Sequence, residues 1–100
     1  MIKALKNPSV GEIIKEELLD DMGLSQNALA RAIFVPPNRI NEIIRGRRNI
    51  TADTDLRLCR FFNLTQGFFL RLQMQSDMSE IHKNPSASIQ KIVPYERAIK

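Results

Sequence analysis

Residues 24–48 constrain the fold more than any other part of the chain, because they read as two short amphipathic helices joined by a tight turn. Ser25 is a good N-cap, since its hydroxyl can accept from an amide two or three residues on. Ala28, Leu29, Ala32 and Ile33 then fall on one helical face, and Ile40, Ile43 and Ile44 repeat that spacing after the break. The pair Pro36-Pro37 suits a helix start, where a missing amide donor costs nothing, and Gly46 supplies a stop. Helices of about eight residues do not stand alone in water. Two of them so spaced match the helix-turn-helix geometry that places a second helix in the major groove of DNA.

The rest of the composition narrows the function class. A chain of 100 residues is long enough for one helical core and short of two, so a single domain is expected. No apolar run approaches the ~20 residues a membrane span needs, and the N-terminus lacks the apolar block of a signal peptide. A cytoplasmic protein with no membrane partner is the expectation. Cys59 and His82 are the only residues of their kinds, so no intrachain disulfide, metal cluster or His-based catalytic triad can be assembled. The chain is therefore read as a non-enzyme without a cofactor.

The net charge of +4 is informative once located. Residues 26–50 carry five arginines against Glu42 alone, a local excess of +4, while residues 1–25 are net negative. A basic surface at the helix-turn-helix is the expected footprint of phosphate binding; the plainer reading is a solvated basic face.

Taken in order, Ser9 and Glu12 form a possible capping box for a first helix from about Val10 to Met22, with Val10, Ile13, Ile14, Leu18 and Met22 inward and Gly23 as its stop. Thr51 caps a fourth helix whose apolar residues Ala52, Leu56, Leu58, Cys59, Phe61 and Phe62 place it centrally, and Asn63 closes it. Thr65 is expected to cap a fifth helix carrying Phe68, Phe69, Leu72 and Met78. Four of the five phenylalanines lie between positions 61 and 69, which points to core packing. Residues 8–82 are thus expected to form the DNA-binding domain. Residues 83–100 form a C-terminal arm, for which a strand, an extended segment and partial disorder all stay open.

The blocks Gly11-Glu12-Ile13-Ile14-Lys15-Glu16-Glu17, Gly23-Leu24-Ser25-Gln26-Asn27-Ala28-Leu29-Ala30, Val35-Pro36-Pro37-Asn38-Arg39-Ile40-Asn41-Glu42-Ile43 and Gly46-Arg47-Arg48-Asn49-Ile50-Thr51-Ala52-Asp53-Thr54 together resemble the HigA-type antitoxins of bacteria, also called the virulence-associated protein I family. These belong to the Xre-type, lambda-repressor-like helix-turn-helix regulators. The likeness covers roughly residues 8–78. It implies an all-α, five-helix lambda-repressor-like DNA-binding domain, a homodimer bound to operator DNA, repression of its own operon, and neutralisation of a HigB-type toxin, a RelE-like ribonuclease that cuts messenger RNA. A solitary Xre-family regulator without a toxin is the alternative, and an interaction module that has lost DNA binding is a third reading. The chain departs from the pattern at Phe34, where glycine is usual in the turn; a bulky residue at positive φ costs on the order of 1 kcal/mol, so the turn is either reshaped or strained. Phe68-Phe69 replaces the usual Phe-Trp.

Carried over by position, Pro37, Asn38, Arg39, Asn41 and Glu42 form the base-reading face of the second helix of the motif. Asn pairs with adenine, Arg with guanine, and a proline ring can contact a thymine methyl. Gln26 resembles the glutamine that binds a phosphate in Xre-type domains, and Asn27, Arg45, Arg47 and Arg48 are further phosphate candidates. Arg45 has a second reading, since an arginine at a helix C-terminus also offsets the dipole.

Overall fold

Local hydrogen-bond demands at helix ends set most of the element boundaries in the computed structural model, which describes residues 8–96. The segments Val10–Glu12, Ile13–Leu19 and Asp20–Met22 run on as one helix, α1. At its start the capping box is complete: Ser9 Oγ accepts from the Glu12 amide at 3.1 Å, and Glu12 Oε1 accepts from the Ser9 amide at 2.8 Å. At its end Gly23, at φ 65, lets the Leu24 amide reach Leu19 O and the Gly23 amide reach Asp20 O.

The middle of α1 departs from the expected spacing. Ile13–Leu19 is π-wound, with the Asp20 amide donating to Lys15 O, five residues back. In so wide a turn, residues five apart share a face. Ile14 and Leu19 are therefore buried and Lys15 pairs with Asp20 at 3.2 Å, whereas Leu18 is half-buried and Met22 is 55% exposed.

Helix α2, Gln26–Ala32, is capped by Ser25 Oγ, which accepts from the Ala28 amide at 3.0 Å. Its inward residues are Leu29, Ala30 and, just beyond, Ile33, with Ala28 half-buried and Ala32 outside. Alanines on both sides of Leu29 fit either rotation, so the apolar pattern alone does not select between them.

The turn keeps the left-handed shape that glycine would adopt. Phe34 sits at φ 61 with its side chain 85% exposed, and the Val35 amide still reaches Ala30 O at 3.0 Å. Arg57 Nη1 donates to Ile33 O at 2.9 Å and to Phe34 O at 3.3 Å, holding the strained carbonyls in place. Phe34→Gly should accordingly raise stability by about 1 kcal/mol. A urea midpoint below that of the wild type would show that contacts of the ring outweigh the strain.

Helix α3, Pro37–Ile44, begins with Pro36 as N-cap, buries Ile40 and Ile43, and ends through Gly46 at φ 77. Helix α4, Ala52–Phe62, is capped by Thr51 and closed by Asn63 at φ 58. It is central, with Leu58 and Cys59 fully buried, but its inward face is Thr54, Asp55, Leu58 and Cys59. Ala52, Leu56 and Phe61 lie on the exposed side, because the two polar residues take the inward positions of its first turns.

Helix α5, Phe68–Lys83, starts under the control of α4 rather than of Thr65. The buried Asp55 carboxylate accepts from the amides of Gly67 at 2.6 Å, Phe69 at 2.9 Å and Leu70 at 3.2 Å. Phe69 is fully buried, and the rings of Phe62 and Phe68 lie 6.4 and 5.1 Å from it, so three of the four clustered phenylalanines pack together while Phe61 stays on the surface. Met74, Met78 and Ile81 are exposed on the outer half of α5. Asn84 and Pro85 interrupt the helix; Ser86 then caps one more helical turn, α6, Ala87–Gln90, before the exposed residues 92–96. The described residues thus hold six helices and no strand. None of these helices is long and apolar enough to cross a membrane.

One close approach fixes α3 against this frame. A Cβ added at Gly11 would collide with Ile43 O and lie 2.7 Å from Ile44 O and 2.8 Å from Ile44 Cα. The backbone of α1 therefore rests directly on the C-terminal end of α3. Only glycine allows it.

Candidate nucleic-acid interface

With Ile40 and Ile43 locked in the core, the helical period of α3 turns Pro37 and Asn38 fully outward and leaves Arg39, Asn41 and Glu42 half-buried along its flank. Gln26 and Asn27 stand at the start of α2, where Gln26 meets α3: Asn41 Nδ2 donates to Gln26 Oε1 at 3.2 Å. One predicted base-reading residue, Asn41, and one predicted phosphate residue, Gln26, therefore adjoin. The first turn of α2 also has amide donors without a partner inside the helix, which favours an anion nearby.

The basic residues follow the other end of α3. Arg45, Arg47 and Arg48 are exposed, and among the described residues Arg45 and Arg47 make no ion pair. Arg48 Nε donates to Glu42 Oε1 at 2.8 Å, so the one carboxylate on α3 is partly neutralised. In three helix closures the residue after the left-handed position is apolar, namely Leu24, Val35 and Leu64; after Gly46 it is Arg47, which stays in solvent.

Two features beside this surface were not legible as site residues. Asp53, in the first turn of α4, lies 3.6 Å from Arg39 and accepts from Arg57 Nε at 2.9 Å. The Asp53 to Arg57 spacing of four was the available signal for the second pair, but nothing local indicated Arg39. Gln73 of α5 clamps the segment after the arginines: its Oε1 accepts from the Ile50 amide at 2.6 Å, and its Nε2 donates to Ile50 O at 3.2 Å. Helix α5 and the basic connection are thus tied by two hydrogen bonds.

A family model described as helix-turn-helix matches residues 6–66. The chain belongs to the Xre-like helix-turn-helix family. Within that family its relatives include virulence-associated protein I of Dichelobacter nodosus, 48% identical over 84% of this chain and 77% of the relative. A solved HigA-family addiction module antidote protein from Coxiella burnetii is 39% identical, with a TM-score of 0.79 over 91% of this chain and 100% of that one. Antitoxin HigA of Pseudomonas aeruginosa, solved with the higBA promoter, is 32% identical, with a TM-score of 0.78 over 89% of this chain and 98% of that one. This helix-turn-helix protein is therefore of a DNA-binding antitoxin family and not of an enzyme family.

Proposed function

We propose that the chain is the antitoxin of a type II toxin-antitoxin module: as a homodimer it binds operator DNA, represses its own operon and neutralises a HigB-type, RelE-like toxin that cleaves messenger RNA. The observation that carries the DNA reading is the outward face of α3 beside the unpaired Arg45 and Arg47, on a chain 32% identical to an antitoxin seen on promoter DNA. Pro37, Asn38, Arg39, Asn41 and Glu42 would meet base edges. Gln26, Asn27, Arg45, Arg47 and Arg48 would hold phosphates.

A single motif of this kind touches only a few base pairs, so two copies are needed for a specific address. Met74, Met78 and Ile81, at helical spacing on the outer half of α5, support pairing through that helix. The exposed apolar arm, with Ile92, Val93 and Tyr95, remains for the toxin. The preformed helix loses less entropy on association than an extended segment, which favours this division.

The test uses the full chain, the DNA upstream of its own gene and the product of the adjacent reading frame. Binding of that DNA over a random duplex, with rescue of cells from the neighbouring product, is the expected result. Equal binding of both duplexes overturns the DNA reading. Specific binding without a product to neutralise makes the chain a solitary regulator.

A further inference from the structure

We infer that Asp53 is a specificity-determining residue of the DNA-reading face, acting by positioning Arg39; the inference rests on the DNA reading above. Its carboxylate stands at the end of a chain of contacts anchored in the fold. Arg57 Nη1 is fixed by Ile33 O and Phe34 O, Arg57 Nε donates to Asp53 Oδ2 at 2.9 Å, and the same oxygen lies 3.6 Å from Arg39 Nη1. Asp53 is itself exposed, but its partner is anchored at the α2 to α3 turn. The carboxylate is thereby aimed at Arg39.

The consequence follows from what guanidinium can do. Arg39 carries five donors; two satisfy O6 and N7 of a guanine, leaving others for Asp53. The carboxylate then limits the directions that Arg39 samples before DNA arrives, so less freedom is lost when the guanine contact forms. On a non-cognate sequence the guanidinium has no guanine edge to reach. Its remaining use there is a phosphate contact, which requires leaving Asp53 and giving up that ion pair. Asp53 therefore favours the base contact and opposes the indiscriminate one. Arg45 and Arg47, which lack such a partner among the described residues, suit the indiscriminate role.

The test compares wild type, Asp53→Asn, Arg39→Ala and the double variant on two duplexes of equal length: one selected by the wild-type protein from a randomised pool, and one of random sequence. Asp53→Asn keeps the side-chain shape and the Thr51 cap, and its fold is checked by helical circular dichroism and the urea midpoint. Asp21→Asn, on the last turn of α1, makes the same change of charge outside this contact chain.

Asp53→Asn is expected to lower the ratio of selected to random affinity about tenfold, to relax preference at one base position per half-site, and to do neither in the Arg39→Ala background. Asp21→Asn should leave the ratio unchanged. An equal gain on both duplexes would reduce Asp53 to a general charge effect and overturn the inference. So would a loss of ratio that persists without Arg39. A wild type that selects no sequence from the pool would instead overturn the DNA reading, and this inference with it.

Discussion

Asp55→Ala is expected to remove a large part of the folding stability of the domain, because one carboxylate that is 3% exposed serves as the N-terminal cap of a helix other than its own. Gly67, the N-cap of α5, has no side chain to offer, so the amides of Gly67, Phe69 and Leu70 all turn to Asp55 on α4. Truncation leaves those donors unanswered, beside a Cys59 thiol that also loses its contact to Oδ1 at 3.6 Å. A buried donor stripped of its partner costs about 1–3 kcal/mol, and hydrogen bonds to a charged group lie toward the upper end. Two of the three amides are only part-buried, which discounts the sum to about 3–6 kcal/mol against a typical total of about 5–15. Urea unfolding followed by circular dichroism measures the loss. A variant within about 1 kcal/mol of wild type would mean that water replaces the carboxylate at the start of α5.

This interaction also shows where the sequence stops being readable. Ser9, Ser25 and Thr51 as helix starts, and Gly23, Gly46 and Asn63 as stops, act on backbone groups within a few residues of themselves, so their roles are visible locally. Asp55 acts across 12 to 15 residues. Its trace in the sequence is its phase: it falls with Leu58, Cys59 and Phe62 at positions i, i+3, i+4 and i+7, where a charge signals a buried partner. Leu19 and Met22 illustrate a second limit, since π winding shifts the inward face in a segment whose residues are equally good α-helix formers.

At the candidate interface the same division holds. The outward direction of Pro37 and Asn38 follows from the phase of Ile40 and Ile43 and could be named in advance, whereas Arg39, Asn41 and Glu42, expected on the same exposed face, are half-buried. What could not be named is their pairing: Asn41 with Gln26, Glu42 with Arg48 and Arg39 with Asp53 join α3 to α2, to the connection after it and to the first turn of α4. Phe34 belongs to both classes. Its departure from glycine was visible in the sequence, whereas the Arg57 contacts that hold the turn in its glycine-like form required the fold.

Binding of the proposed operator should weaken about 1000-fold between 50 and 200 mM monovalent salt, corresponding to a slope of log K against log salt near −5. The slope counts cations that displace condensed counterions, not all contacts. Gln26 and Asn27 can bond phosphates but carry no charge, and Arg39, proposed above to meet a guanine edge, is left out of the phosphate count. That leaves Arg45, Arg47 and Arg48 on each chain, or about six neutralised phosphates in a dimer. The pairing of Arg48 with Glu42 need not remove it from the set, because that exposed pair can open in favour of a phosphate. The slope also reads the assembly: a single bound chain would give about half the value, so titration of the selected duplex separates a dimer from a monomer. Arg47→Ala should flatten the slope by nearly 2 in the dimer while leaving base preference intact. A response to salt that is flat in the wild type would remove the basic surface after α3 from the interface altogether.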